Sequence, residues 1–301
     1  MNQEIQVDDV KVFGVIGAGQ MGGGIAQVGA QIGLEVLLLD ANLELATKGR
    51  DKIAKGLEKL VEKGKLDAEA RSKIVERIRP IGGAADLARA DLVVEAATEN
   101  FELKIRILKE ADAAMKPGAI LASNTSSISI TKLAAATSRP SLVAGMHFMN
   151  PVPVMKLCEI VRGVQSSEST ITTVTALAKK MGKTTILSKD APGFLVNRIL
   201  IPLLNEACFA LQEGVGGPED LDLGAKLGLN HPMGPLELAD LIGLDTCLAI
   251  AEVLHREIGD DKYRPATILR NLVAAGWHGR KTGRGFYVYD DNGQRTGRAF
   301  G

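Results

Sequence analysis

Short apolar runs alternate with longer amphipathic stretches from the N-terminus to about Ser188, and beyond that point the short runs largely stop. The runs Val12–Ile16, Val36–Leu39, Leu92–Glu95, Ile120–Ser123 and Leu142–Met146 are short, apolar and partly β-branched, which predicts buried strands. Between them, Leu43–Lys63, Ala68–Arg77 and Glu102–Met115 carry charge at helical spacing. Strand and helix in alternation predict a doubly wound parallel sheet. Leu43 to Arg77 reads as two helices broken near Gly64, more than one crossover needs, so this pair is expected to project from the core. After Asp190, Ala191-Pro192-Gly193 opens a long apolar segment, Phe194 to Leu211, and further helices are expected at Pro218–Leu227, Pro235–Ile258 and Pro265–Ala275. A boundary near Lys189 therefore separates an α/β domain, 1–189, from an all-α domain, 190–301.

The first strand ends in Gly17-Ala18-Gly19-Gln20-Met21-Gly22 and passes directly into a helical segment. Strand, Gly-x-Gly-x-x-Gly and helix in that order form a dinucleotide site of the Rossmann type. Gly17 allows the tight turn, Gly19 the approach of a pyrophosphate, and Gly22 the close packing of helix on strand. The N-terminus of that helix, expected over Gly23 to Ile32 directly after Gln20, Met21 and Gly22, adds unpaired N–H groups and a positive dipole end. Asp40 closes the second strand about twenty residues downstream, where an acid holds the ribose hydroxyls. An acid there repels a 2′-phosphate and Ala41-Asn42 bring no arginine, so NAD is expected rather than NADP.

Composition narrows the class. The 301 residues suit two domains, and 36 basic residues balance 36 acidic ones, which gives no footprint for nucleic acid or an acidic membrane. No apolar stretch reaches the length of a membrane span, and Met1 to Asp9 has neither a signal-peptide core nor transit-peptide arginines. Cys158, Cys208 and Cys247 lack CxxC or paired-histidine spacing, which argues against structural zinc and disulfides and for buried thiols in a reducing cytoplasm. The high apolar content of the second region is what a homodimer interface would require.

A dinucleotide fold names no reaction, so a catalytic group is needed. Of His147, His231, His255 and His278, only His147 follows an apolar run and so falls at a strand's carboxyl end, where doubly wound folds bind ligands. Asn150-Pro151-Val152-Pro153 forces an extended turn before Met155 to Val161, and the two segments can lie side by side with Glu159 towards His147. Such a pair suits alcohol oxidation: neutral imidazole takes the hydroxyl proton while the carboxylate fixes its tautomer. On spacing alone, a histidine that merely ends a strand fits as well.

Four motifs in order carry a resemblance: Gly17 to Gly22, Ser123-Asn124-Thr125-Ser126-Ser127, His147-Phe148-Met149-Asn150-Pro151-Val152-Pro153, and Gly193-Phe194-Leu195-Val196-Asn197-Arg198. With His231 to Pro235 and Lys281 to Tyr287 they cover nearly the whole chain. The sequence resembles the L-3-hydroxyacyl-CoA dehydrogenases, and within them the bacterial stand-alone 3-hydroxybutyryl-CoA type. The resemblance implies reversible NAD-dependent oxidation of an (S)-3-hydroxyacyl-CoA, short-chain acyl groups, and a homodimer. It makes His147 the base and Glu159 its partner. It sets Ser126 and Asn197 on the substrate's 3-oxygen, where charge develops. Glu99, Lys104 and Asn150, and more loosely Lys281, match positions near the nicotinamide half of the cofactor. The helix pair matches a CoA-facing arm with Lys63, and Lys65 close by, as phosphate contacts.

Plainer readings stand beside these. Ser126 could cap a helix over Ile128–Ala136, Asn197 could be an ordinary helix residue, Glu99 and Lys104 could be surface charges, and Lys63 could belong to a solvated face. Met149 replaces the phenylalanine of the common His-Phe-Phe-Asn-Pro form, a flexible apolar exchange, and Gly56 stands where relatives often carry a CoA-contacting serine. Two other functions share the architecture: a β-hydroxyacid dehydrogenase of the 3-hydroxyisobutyrate type, which relies on a lysine, and a non-catalytic NAD- or CoA-binding protein.

Overall fold

Strands β1 (Val12–Ile16), β2 (Glu35–Leu39), β3 (Ile78–Ile81), β4 (Leu92–Glu95), β5 (Ile120–Ser123), β6 (Val143–Phe148), β7 (Leu157–Arg162) and β8 (Thr184–Lys189) form one sheet. They are arranged in the order β3-β2-β1-β4-β5-β6-β7-β8. The structure, a computed structural model, describes residues 5–299. It has two compact units, the first running to Ala191 and the second starting at Pro192.

In the first unit every strand pair is parallel except β6 with β7. The central strands are apolar and buried along their length because helices cover both faces. The chain winds outward from β1 in both directions, through β2 and β3 on one side and β4 on the other. That makes the carboxyl ends of β1 and β4 a topological switch point, the usual place for a ligand crevice. Helix α1 (Gln20–Gln31) packs on β1 and β2.

The expected helix pair is present as α2 (Leu43–Glu62) and α3 (Ala68–Arg77), capped by the side chains of Asn42 and Asp67. It does not stand free of the core. Ile53, Leu57, Ile74 and Val75 belong to the buried cluster, and α3 leads into β3, so the pair is the β2-to-β3 crossover. The rest of this unit is α4 (Phe101–Ala114), α5 (Ile130–Ala134) and α6 (Glu168–Lys180). The cap of α5 is Ser129, which accepts from the Lys132 amide, so Ser126 is not a helix cap.

The second unit comprises α7 (Val196–Gln212), α8 (Pro218–Gly228), α9 (Pro235–Ile242), α10 (Leu244–Ile258) and α11 (Thr267–Ala274). The stretch Pro235–Ile258, expected as one helix, is two, because Gly243 takes φ +106° between them. The unit is also not purely helical: β9 (Tyr287–Tyr289) and β10 (Arg295–Arg298) pair antiparallel. Its centre is polar as well as apolar. Buried Asp240 accepts from the amides of Phe286 and Tyr287 and from the Tyr289 hydroxyl, and Asp222 accepts from the Tyr287 hydroxyl. Burial, only partly offset by the two amide hydrogen bonds, pushes the Asp240 carboxyl up to about 6.

Candidate active site

The glycine turn has the form the sequence predicts. Gly17 adopts φ +99°, and a Cβ there would stand 2.6 Å from the Ala96 carbonyl oxygen. A Cβ on Gly22 would lie 1.7 Å from the Gly17 carbonyl oxygen, so helix and turn can touch only without a side chain. A Cβ on Gly19 would face open space, the side on which a ligand needs room. Gly17 and Gly19 border a cleft of about 650 Å³, with Gln20, Met21, Asp40 and Ala96 to Thr98 also in its wall. Asp40 binds back to the turn, its carboxylate accepting from the Ala18 amide at 2.6 Å and from the Ala41 amide at 2.7 Å. A cradle closed to side chains, open beside Gly19 and flanked by an acid fits a dinucleotide. Gly82, Gly83, Ala84, Arg106 and Glu110 stand in the same wall, and no motif marks them. Arg106 brings a guanidinium that the segment after Asp40 lacks, and Glu110 stands one helical turn away on α4.

Antiparallel pairing of β6 and β7 sets His147 directly opposite Glu159. The turn through Pro151 makes this reversal possible, and one residue of slip would send the two side chains to opposite faces. Imidazole Nδ1 lies 3.0 Å from Glu159 Oε2. The pair is nearly dry, with His147 7% exposed and Glu159 fully buried. A carboxylate at Nδ1 selects the tautomer that carries its proton there and leaves Nε2 able to accept one.

The loop after β5 runs beside this pair. Ser123 is in register with Gly145, two residues before His147, and the Asn124 side chain accepts from the Phe148 amide at 2.9 Å. Ser126 donates its amide to Glu99 at 2.9 Å, while Thr125 and Ser127 donate to the same carboxylate oxygen. Burial opposes ionisation of Glu99, but the Lys104 ammonium and the Thr125 and Ser126 hydrogen bonds hold its carboxyl below the usual range. Lys104 is not a surface charge. Only 1% of it is exposed, and its Nζ lies 2.7 Å from Glu95 and 3.4 Å from Glu99. Glu95 was missed as a site residue; the sequence signal was an acid ending an otherwise apolar strand.

Asn150 is exposed and precedes a cis bond to Pro151. Lys63 follows α2 as its C-terminal cap residue and is exposed, as is Lys65, while Gly56 has open space around it. In the second unit, Asn197 is buried in the first turn of α7, and Lys281 pairs with Asp245 at 2.7 Å.

Fold and cleft define a dinucleotide-binding protein of the doubly wound class. The family description "3-hydroxyacyl-CoA dehydrogenase, NAD binding domain" matches residues 12–191, and "3-hydroxyacyl-CoA dehydrogenase, C-terminal domain" matches residues 193–289. The chain belongs to the 3-hydroxyacyl-CoA dehydrogenase family, whose members are NAD-dependent oxidoreductases. A probable 3-hydroxybutyryl-CoA dehydrogenase of Deinococcus radiodurans is 56% identical over 277 residues, covering 92% of this chain and 99% of the relative. The crystal structure of (S)-3-hydroxybutyryl-CoA dehydrogenase from Ralstonia eutropha superimposes with a TM-score of 0.91 at 52% identity, over 94% of this chain and all of that one. The 3-hydroxyisobutyrate dehydrogenase of Mycobacterium tuberculosis, at 15% identity and a TM-score of 0.58, shares the fold alone.

Proposed function

We propose that the protein interconverts (S)-3-hydroxybutyryl-CoA and acetoacetyl-CoA, with His147 as the general base and Glu159 as its partner. The single observation that carries this reading is the buried His147–Glu159 contact of 3.0 Å beside the Ser126 loop. A bound NAD supplies hydride acceptance from the carbinol carbon. Gly17, Gly19, Gln20, Met21, Gly22 and Asp40 are the residues that would hold it, with Glu99, Lys104, Asn150 and Lys281 assigned to its nicotinamide half by resemblance. Neutral His147 removes the hydroxyl proton at Nε2, and the positive charge that forms on the ring is opposed by Glu159. Ser126 and Asn197 are assigned as donors to the 3-oxygen, whose negative charge is greatest when the ketone is being reduced or formed. Lys63 is assigned to a phosphate of CoA.

Short-chain preference, S-stereochemistry and the CoA ester rest on likeness to the relatives. The test is initial-rate NADH consumption with acetoacetyl-CoA beside free acetoacetate and beside NADPH. The reading expects turnover of the thioester with NADH, with the free acid and NADPH both poor. Free acetoacetate reduced as fast as its CoA ester would refute it.

We also assign a second copy of the chain as partner. Leu195, Ile199 and Leu203 follow at four-residue spacing around the start of α7, and all are exposed, Ile199 at 66%. Ordered apolar exposure of this kind fits a surface covered by another protein. A monodisperse monomer by light scattering at micromolar concentration would overturn the assignment. Burial pushes the thiols of Cys158, Cys208 and Cys247 up, and all three are free, which suits a reducing compartment such as the cytoplasm.

A further inference from the structure

Glu95 closes β4 at the sheet's carboxyl edge and is fully buried, a costly place for a carboxylate without partners. It has several. Lys104 Nζ lies 2.7 and 3.0 Å from its two oxygens, the Ser123 hydroxyl donates at 2.6 Å and the Ala97 amide at 2.6 Å. Lys104 also donates to the Ala97 carbonyl at 3.1 Å and reaches Glu99 at 3.4 Å. Two carboxylates thus share one buried ammonium, with the shorter contact to Glu95. The second carboxylate, Glu99, gathers donors from the loop after β5: the Thr125 hydroxyl at 2.5 Å and the amides of Ser126 and Ser127 at 2.9 and 3.2 Å. A chain of charge-assisted contacts therefore runs from Glu95 through Lys104 and Glu99 to Ser126.

We propose that Glu95 is a positioning residue: by holding Lys104 away from a full pairing with Glu99, it leaves Glu99 free to fix the Ser126 loop. The inference rests on the assignment of Ser126 to the substrate oxygen. Without the charge on Glu95, the Lys104 ammonium keeps Glu99 as its carboxylate partner. The 3.4 Å contact then closes and draws Glu99 from the loop. Ser123 is a second link, because its hydroxyl touches Glu95 and also accepts from the Thr125 amide at 3.3 Å.

The test is a double-mutant cycle in the full chain between Glu95→Gln and Ser126→Ala, read as kcat for acetoacetyl-CoA reduction. Measurements are made where circular dichroism shows each variant folded. Glu95→Gln is expected to lower kcat between about tenfold and a hundredfold, the scale set by misplacing a substrate-contacting group. In the Ser126→Ala background the same change is expected to cost less than about twofold, since the group it positions is already gone. Two effects that multiply would overturn the proposal while leaving the Ser126 assignment intact. A Ser126→Ala variant with wild-type kcat would remove that assignment and this inference with it. Should Glu95→Gln not fold, Ser123→Ala takes its place in the cycle, with the same non-additivity expected and multiplication again refuting.

Discussion

Replacing Glu159 by glutamine changes charge with almost no change in shape, and so isolates what the carboxylate does for His147. In the wild type the two groups meet at 3.0 Å in a nearly water-free setting. Once the ring has taken a proton, opposite unit charges stand about 4 Å apart, worth about 4 kcal/mol at an effective dielectric of about 20. The net value of a hydrogen bond between charged groups, about 1.5–3 kcal/mol, sets a similar scale. With the proton roughly half transferred in the transition state, about 2 kcal/mol is lost, which is roughly thirtyfold in kcat. Because Glu159 contacts the base rather than the substrate, KM for the acyl-CoA is expected to change less than about threefold. Initial rates of NADH formation against (S)-3-hydroxybutyryl-CoA concentration measure both constants, since it is in this direction that His147 gains the proton. A folded Glu159→Gln variant with kcat within about twofold of wild type would refute the charge argument. A large KM change at constant kcat would show that Glu159 serves binding instead.

Gly22→Ala is expected to abolish NADH binding in a fluorescence titration, because its Cβ would sit 1.7 Å from the Gly17 carbonyl oxygen and must displace the turn that lines the cleft; unchanged affinity would contradict that packing. The buried Asp240 carboxyl sets a pH dependence in the second unit. Its value is raised from 3.8 to about 6, so the native state holds the proton more tightly than the unfolded chain. The stability this contributes is complete below the unfolded value and is lost as pH rises through about 6. By linkage the advantage of wild type over Asp240→Asn in urea unfolding should therefore shrink by about 3 kcal/mol between roughly pH 4 and pH 7. A gap that is constant or widens with pH would show that the hydrogen bonds from Phe286, Tyr287 and Tyr289 outweigh burial.

Much of the first unit was legible because its strands are buried on both faces and must be apolar throughout. Val12–Ile16 and Ile120–Ser123 could be read to the residue. The third strand was not, since Ile78-Arg79-Pro80-Ile81 lies at the sheet edge, where a charge and a proline are tolerated. The β9–β10 pair escaped notice for a related reason: β10 is Arg295-Thr296-Gly297-Arg298, exposed throughout and without an apolar face. The break between α9 and α10 needed a positive φ at Gly243 within an unbroken apolar rhythm, which periodicity does not report. In the site, the glycine turn, Asp40 and the facing of His147 by Glu159 followed from local rules of turn and strand reversal. Lys104 did not, because a charged residue near a helix start is ordinarily solvated. It goes inside here because Glu95, closing β4, and Glu99, in the loop before α4, turn their carboxylates onto its ammonium. The part played by Arg106 in the cleft is likewise a product of tertiary structure.

At the centre of the proposed chemistry is one imidazole, buried between strands and oriented by one carboxylate. The most direct test is NADH consumption with acetoacetyl-CoA by the wild type and by His147→Gln, with NADH affinity measured on both proteins. In this direction the same imidazole, protonated, returns the proton to the 3-oxygen, so its removal is expected to lower kcat by about a hundredfold or more. Affinity for NADH should stay within about twofold, since His147 is assigned to the substrate's hydroxyl and not to the cofactor. A His147→Gln protein that binds NADH and reduces acetoacetyl-CoA at the wild-type rate would contradict the assignment of the base.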